Sequence, residues 1–221
     1  MPASPAPRLS PWLALLFSVA CALAVANVYY AQPLLDAMAR DFAIDPALVG
    51  LVVTLTQVGY GLGLILLVPL GDLFERRRLI VLQSLLSVLA LLMIALATSS
   101  AWLFVGMALT GLLAVVAQLL VAHAASVSAD TERGHVVGMV TSGIVIGILL
   151  ARTLSGAMAD LAGWRSIYAL SAALTLLMTL LLWRVLPAHT AARPNTGYGA
   201  LLVSLWQLVR EQPVLRQRAL L

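Results

Sequence analysis

The chain has 221 residues, 62% hydrophobic and only 10% charged, with a mean hydropathy of +1.02; a soluble domain carries about a quarter charged residues, so this chain has too little polar surface to cover a water-soluble fold. Its net charge of +4 rests on arginine alone, with no lysine anywhere, which excludes a Walker-type phosphate lysine and a lysine Schiff base. In so apolar a chain that charge sets membrane orientation and gives no support to nucleic-acid binding, and the single Cys21 rules out an internal disulfide and argues against a thiolate metal site.

Six apolar stretches are each about the 20 residues needed to cross a bilayer as helix, near 12–35, 47–70, 79–99, 101–126, 134–158 and 164–186. Residues 1–11 precede them as a short tail. Arg8 and the triplet Ala24-Val25-Ala26 resemble a cleavable signal, but the apolar run continues through Val28, Tyr29 and Tyr30 to Leu35, too long for a signal core. Between spans 2 and 3 the chain reads Leu70-Gly71-Asp72-Leu73-Phe74-Glu75-Arg76-Arg77-Arg78. Charge beside lipid is costly unless solvated or paired, so this loop marks a membrane boundary and an expected ion-pair latch centred on Asp72. Removing one partner of a partly buried pair costs up to about 3–5 kcal/mol.

Arginine placement predicts the orientation. With the amino terminus inside, inner segments hold Arg8, Arg76, Arg77, Arg78, Arg133, Arg184, Arg193, Arg210, Arg216 and Arg218, while outer loops hold only Arg40 and Arg165. Trp12, Trp102, Trp164 and Trp183 fall near span ends, as interfacial anchors do. Residues 187–221 form a separate inner segment: a linker over 187–199, then Leu201, Leu202, Leu205, Leu208 and Val209 at the spacing of an amphipathic surface helix. Pro213 ends that helix, and Arg216 to Leu221 read as the inner flank of a further span, so the chain is expected to be cut off.

Shifted by 88 residues, the chain partly matches itself: Gly50 falls on Gly138, Gly59 on Gly147, Asp72 on Asp160 and Arg77 on Arg165. Spans 1–3 and 4–6 therefore read as two copies of one unit. Three is odd, so the second copy is inverted, which places Asp72 and Arg77 inside and Asp160 and Arg165 outside. Inverted three-span repeats are a mark of secondary transporters.

On these residues the chain resembles the amino-terminal six-helix half of a major facilitator superfamily transporter. That family's loop between spans 2 and 3 reads Gly-x-Leu-small-Asp-Arg-x-Gly-Arg-basic-basic. Leu70, Gly71, Asp72, Arg76, Arg77 and Arg78 match, while Val68, Leu73 and Glu75 depart from it. Span 5 is similar to the family's antiporter signature at Gly138, Gly147 and Gly156, with Ala151 and Ser155 as small replacements and Arg152 where proline is expected. Small residues on one face let helices approach closely, so these glycines are expected at a packing face. In span 4 Gly111 is kept, but Met107 stands at the position of the family's arginine, which removes that route to proton coupling. The phrases from Ala26 to Pro33 and from Gly147 to Thr153 resemble bacterial drug and sugar efflux permeases. The resemblance implies an all-α polytopic protein of the bacterial inner membrane, both termini cytoplasmic, that exports a small solute by alternating access against a proton or other ion gradient.

Polar residues within spans are few, and each is a candidate for touching solute: Asn27, Tyr30, Gln57, Tyr60, Gln118 and Arg152. For an amide or tyrosine the alternative is a helix–helix hydrogen bond. Arg152 needs a wet cavity, a partner, or a route for snorkelling outward; cavity lining is the expectation. His123, near the inner end of span 4, reads as interfacial, and His135 and His189 as loop residues. No acid lies deep in a span, so this half offers no evident proton carrier. No Ser/His dyad, metal cluster or paired carboxylate lies within the spans, so neither enzyme, cofactor nor metal is expected. The other reading is a membrane fragment or binding module, inactive until a carboxy-terminal half or a second copy joins it.

Overall fold

The computed structural model describes residues 10–186 and 198–199. Their secondary structure is helical. Helix α1 spans Pro11–Tyr29 and starts on a proline, whose missing N–H costs nothing in a first turn. A 3-10 turn at Gln32–Leu34 and a short α2, Leu35–Phe42, extend it. Next come α3, Leu51–Leu66; a single turn α4, Leu70–Leu73; and α5, Arg76–Ala95. Span 4 is broken into α6, Ser100–Ala114, and α7, Val116–Val127, which meet at Val115. Helix α8 runs Arg133–Ala162 until Gly163, at a φ of 82°, turns the chain, and α9 covers Arg165–Val185.

Six helical segments are long and apolar enough to cross a membrane. They coincide with the six predicted spans, with ends that differ by up to four residues everywhere but at the end of the first. The first continues past Leu35 to Phe42, and the fifth extends to Ala162. The amphipathic stretch at 201–209, nearly all of the linker, the tail before Ser10 and His189 lie outside the described residues. Tyr198 donates to the Leu66 carbonyl at 2.8 Å, which brings the end of the linker to the last turn of α3.

The packing follows the internal repeat. Span 2 packs on span 4, span 5 on span 1, and span 3 on span 6. A two-fold exchanging the two copies converts the first contact into the second and the third into itself. Spans 1 and 4 form the centre, spans 2 and 5 flank them, and spans 3 and 6 cover one side. The flanking pair is the least enclosed: the most apolar windows of spans 2 and 5 are 22% and 28% buried, against 56–61% for spans 1, 3 and 4.

Glycines set the closest approaches. A Cβ on Gly59 would lie 2.2 Å from the Ala108 carbonyl oxygen, and one on Gly147 would lie 2.4 Å from that of Ala22. These two residues are repeat equivalents at equivalent interfaces. Gly111 against Thr56 and Gly143 against Ser18 are as tight. Gly138 and Gly156 are not packed in this way: a Cβ on either would meet open space among the described residues. The packing face on span 5 is thus Gly143 and Gly147, because helix period brings residues four apart onto span 1.

Candidate functional site

At the end carrying the triple arginine, each guanidinium has a different partner. Arg76 donates from Nε to the Gly71 carbonyl at 3.3 Å and from Nη1 to the Ala122 carbonyl at 3.2 Å, and its Nη2 faces Asp72 Oδ1 at 3.4 Å. Arg77 donates to the Trp183 carbonyl at 2.6 Å, and Arg78 pairs with Glu75 at 2.7 Å. The loop between spans 2 and 3 is therefore stitched to spans 4 and 6 by arginine-to-carbonyl bonds. Asp72 joins it only through the long contact to Arg76, and its side chain is 64% exposed. A pair so solvated is worth about 1 kcal/mol or less. Within the described residues Asp72 is therefore exposed and weakly paired.

The solute candidates separate by position. Gln57 and Arg152 are exposed, on the flanking spans 2 and 5. Gln118 Nε2 donates to Tyr60 Oη at 3.2 Å, a bridge between spans 4 and 2 at half-buried positions. Asn27 and Tyr30 are enclosed in the bundle, away from its open surface. Ser171 of span 6 donates to Asn27 Oδ1 at 2.5 Å, and the Tyr30 ring meets Tyr168 edge to face with centroids 6.2 Å apart. For Asn27 the helix–helix hydrogen bond is what the structure contains. Asn27 also borders a small internal cavity of about 20 Å³ with Ser84, Ser87, Thr110, Thr175 and Thr179, room for about one water and too small for a solute.

His123 is buried, its ring edge-on to Phe17 at 5.8 Å, so it is a core residue and not an interfacial one. His135, read as a loop residue, lies exposed in the first turn of α8.

The opposite end holds a cluster that sequence reading missed. Arg165 pairs with Asp41 and donates to the Ala97 carbonyl at 3.0 Å. Its guanidinium carbon sits 4.4 Å from the Trp164 ring centroid and 5.2 Å from that of Phe42. Trp164 Nε1 donates to Asp41 at 3.1 Å. Trp164 is thus buried in a clamp and does not anchor the interface, whereas Trp12, Trp102 and Trp183 stay exposed. Asp160, which the repeat aligned with Asp72, is exposed; Arg165 turns instead to Asp41 in α2. The available signal was Asp41-Phe42 just past span 1, an acid and an aromatic beside a span end.

Residues 15–221 match the family described as Major Facilitator Superfamily. A putative uncharacterized transporter of Escherichia coli K12, YgaY, is 48% identical over 97% of this chain and 54% of its own length. A probable transporter of Streptomyces coelicolor, SCO4007, is 33% identical over 90% of this chain and 46% of its own. The chain therefore spans about half the length of the curated relatives it matches. In three dimensions it is similar to a bacterial homologue of the human lysosomal transporter Spinster, solved inward-facing and unoccupied. The TM-score is 0.71 at 15% identity, covering 91% of this chain and 49% of that one.

Proposed function

The chain belongs to the Major Facilitator Superfamily, and from that premise we propose that it forms the amino-terminal half of a secondary transporter, exporting a small solute by alternating access driven by a proton or other ion gradient. The carrying observation is the six-helix arrangement itself: two inverted copies leave spans 2 and 5 packed along one face each, with Gln57 and Arg152 exposed on them. In an alternating-access carrier such a surface is one wall of the central pathway and works against a second wall. Arg152 then lines water and attracts an anionic group, from solute or from the facing half. Gln57, Tyr60 and Gln118 supply neutral hydrogen-bonding positions on the same half. Both termini lie in the cytoplasm of a bacterial inner membrane in this reading, since the arginine-rich end is the inner one.

The half length of the chain relative to its relatives favours a companion reading, in which residues 1–221 insert and fold but stay silent until a carboxy-terminal half or a second copy covers the open surface. An arginine left at mid-membrane is unfavourable by about 2.5–3.5 kcal/mol on insertion scales, which drives that association. The test is reconstitution in liposomes, with the purified chain alone and with a separately expressed carboxy-terminal half of a full-length relative. Flux is expected only from the pair, and Arg152→Leu should abolish it while leaving insertion intact. Saturable flux from the monomeric chain alone, or normal flux in the paired Arg152→Leu protein, overturns the reading.

A further inference from the structure

Arg77 and Arg165 are repeat equivalents, and each bonds the end of the other copy's third span. Arg77, in the first turn of α5, donates to Trp183 near the end of α9; Arg165, opening α9, donates to Ala97 just past the end of α5. A cation at a helix carboxy terminus is favourable there, but each arginine also sits at the positive end of its own helix, where an anion is needed. Neither α5 nor α9 has an acid in its first turn, and Glu75 at the N-cap of α5 makes no cap hydrogen bond and is held by Arg78. For Arg165 the anion is Asp41, with Trp164 and Phe42 as the apolar walls. No carboxylate among the described residues pairs with Arg77. Beside Arg77 is an open cleft of about 460 Å³ lined by Glu75, Arg77, Arg78, Val81, Leu82, Leu85 and Trp183.

We propose that this cleft binds an anionic phospholipid of the adjoining leaflet, its phosphate supplying to Arg77 and Arg78 the negative charge that Asp41 supplies to Arg165. The lining is graded as a lipid is: two guanidiniums and the amino terminus of α5 at the rim, an exposed tryptophan at interface depth, then Val81, Leu82 and Leu85 descending one face of the helix for an acyl chain. The same chain-end geometry that marks basic lipid pockets between spans applies. Glu75 holds Arg78 at 2.7 Å, so it competes with the phosphate and sets the affinity.

The experiment is native mass spectrometry of the full 221-residue chain in detergent, titrated separately with phosphatidylglycerol and with phosphatidylcholine of identical chains. Preferential retention of phosphatidylglycerol is expected. Each arginine near a membrane surface changes the affinity for anionic lipid about fivefold, so Arg78→Gln should lower it by that factor and Glu75→Gln should raise it. Arg133→Gln, an arginine outside the cleft, should leave it unchanged. Arg78 is 86% exposed, so its replacement does not endanger folding, and Arg77→Gln with Arg78→Gln should remove the preference in protein whose circular dichroism is still helical. Equal retention of both lipids, or a preference that survives Arg78→Gln and ignores Glu75→Gln, overturns the proposal. So does displacement of phosphatidylglycerol by inorganic phosphate, which would make this a soluble-anion site.

Discussion

Arg77 and Arg165 occupy equivalent places in the two copies and both are half-buried, yet one has an anion and two ring faces around it and the other has not. Arg165 meets a carboxylate, two ring faces and a helix-end carbonyl, and it draws together α2, the connection after α5, and α9. Among the described residues Arg77 has the carbonyl of Trp183 and no carboxylate. The difference shows what a repeat fixes and what it leaves free. The backbone relation, arginine at one span's start to carbonyl at the partner's end, is common to both copies. The anion that completes it is supplied by whichever local chain arrives, and at the triple-arginine end Asp72 and Glu75 are taken by Arg76 and Arg78 instead.

That comparison rests on the two-fold being a real feature of packing, and the glycines offer the severest test. Gly59→Ala and Gly147→Ala each drive a methyl into backbone of the facing helix, an overpacking that costs about 1–3 kcal/mol. The two losses should be similar, read as unfolding free energy in mixed detergent micelles. Gly138→Ala and Gly156→Ala meet open space and should be neutral or stabilising by up to about 1 kcal/mol through helix propensity. A large cost for Gly59→Ala with none for Gly147→Ala would dissolve the equivalence of the two interfaces.

The arginines come next in size. Arg165→Gln removes a charged donor bond, worth about 1.5–3 kcal/mol, and two ring contacts worth about 0.5–1 kcal/mol each. With the Asp41 pair 38–40% exposed, solvent screening reduces the ionic share, so a net loss of about 2–3 kcal/mol is expected. Arg77→Gln forfeits only the carbonyl bond and should cost about 1–2 kcal/mol in detergent without anionic lipid. The same measurement with phosphatidylglycerol present should narrow the gap, since the lipid then stabilises the wild-type triple-arginine end. Equal losses in lipid-free detergent would mean that Trp164 and Phe42 contribute nothing to Arg165.

Much of this fold was legible in the chain because apolar length and glycine placement are local. Six spans, their repeat and the importance of Gly147 followed from sequence spacing. The break at Val115 did not, for no proline or glycine marks it. The clamp at Arg165 was missed for a related reason: Asp41 and Arg165 are 124 residues apart, and only the closed bundle brings them together. Asn27 and Tyr30 were read as reaching solute because a polar side chain in a span stands out. What decides their role is the neighbour, and spans 6 and 1 face each other there through Ser171 and Tyr168. Gln57 and Arg152 kept their exposure because the flanking spans pack on one side only.

The smallest effect discriminates the two acids. Asp41 accepts from Trp164 and pairs with Arg165. Asp41→Asn keeps an acceptor but loses the charge that Arg165 and the start of α9 require, so a loss of about 1 kcal/mol is expected. Asp72 has a single 3.4 Å contact and a largely solvated side chain, and Asp72→Asn should fall within about 0.5 kcal/mol. Both losses should shrink in high salt, where screening shortens the reach of exposed charges to a few ångströms, and the Asp72 effect should vanish first. These values concern folding of this six-span unit. Should Asp72→Asn cost more than Asp41→Asn, Arg76 is not the partner that matters, and the acid must engage a group beyond the described residues. A small folding effect combined with impaired flux in the two-half assembly would place the work of Asp72 in the conformational balance of the carrier. There a fraction of a kcal/mol in the unit leaves room for a larger difference between its inward- and outward-open states.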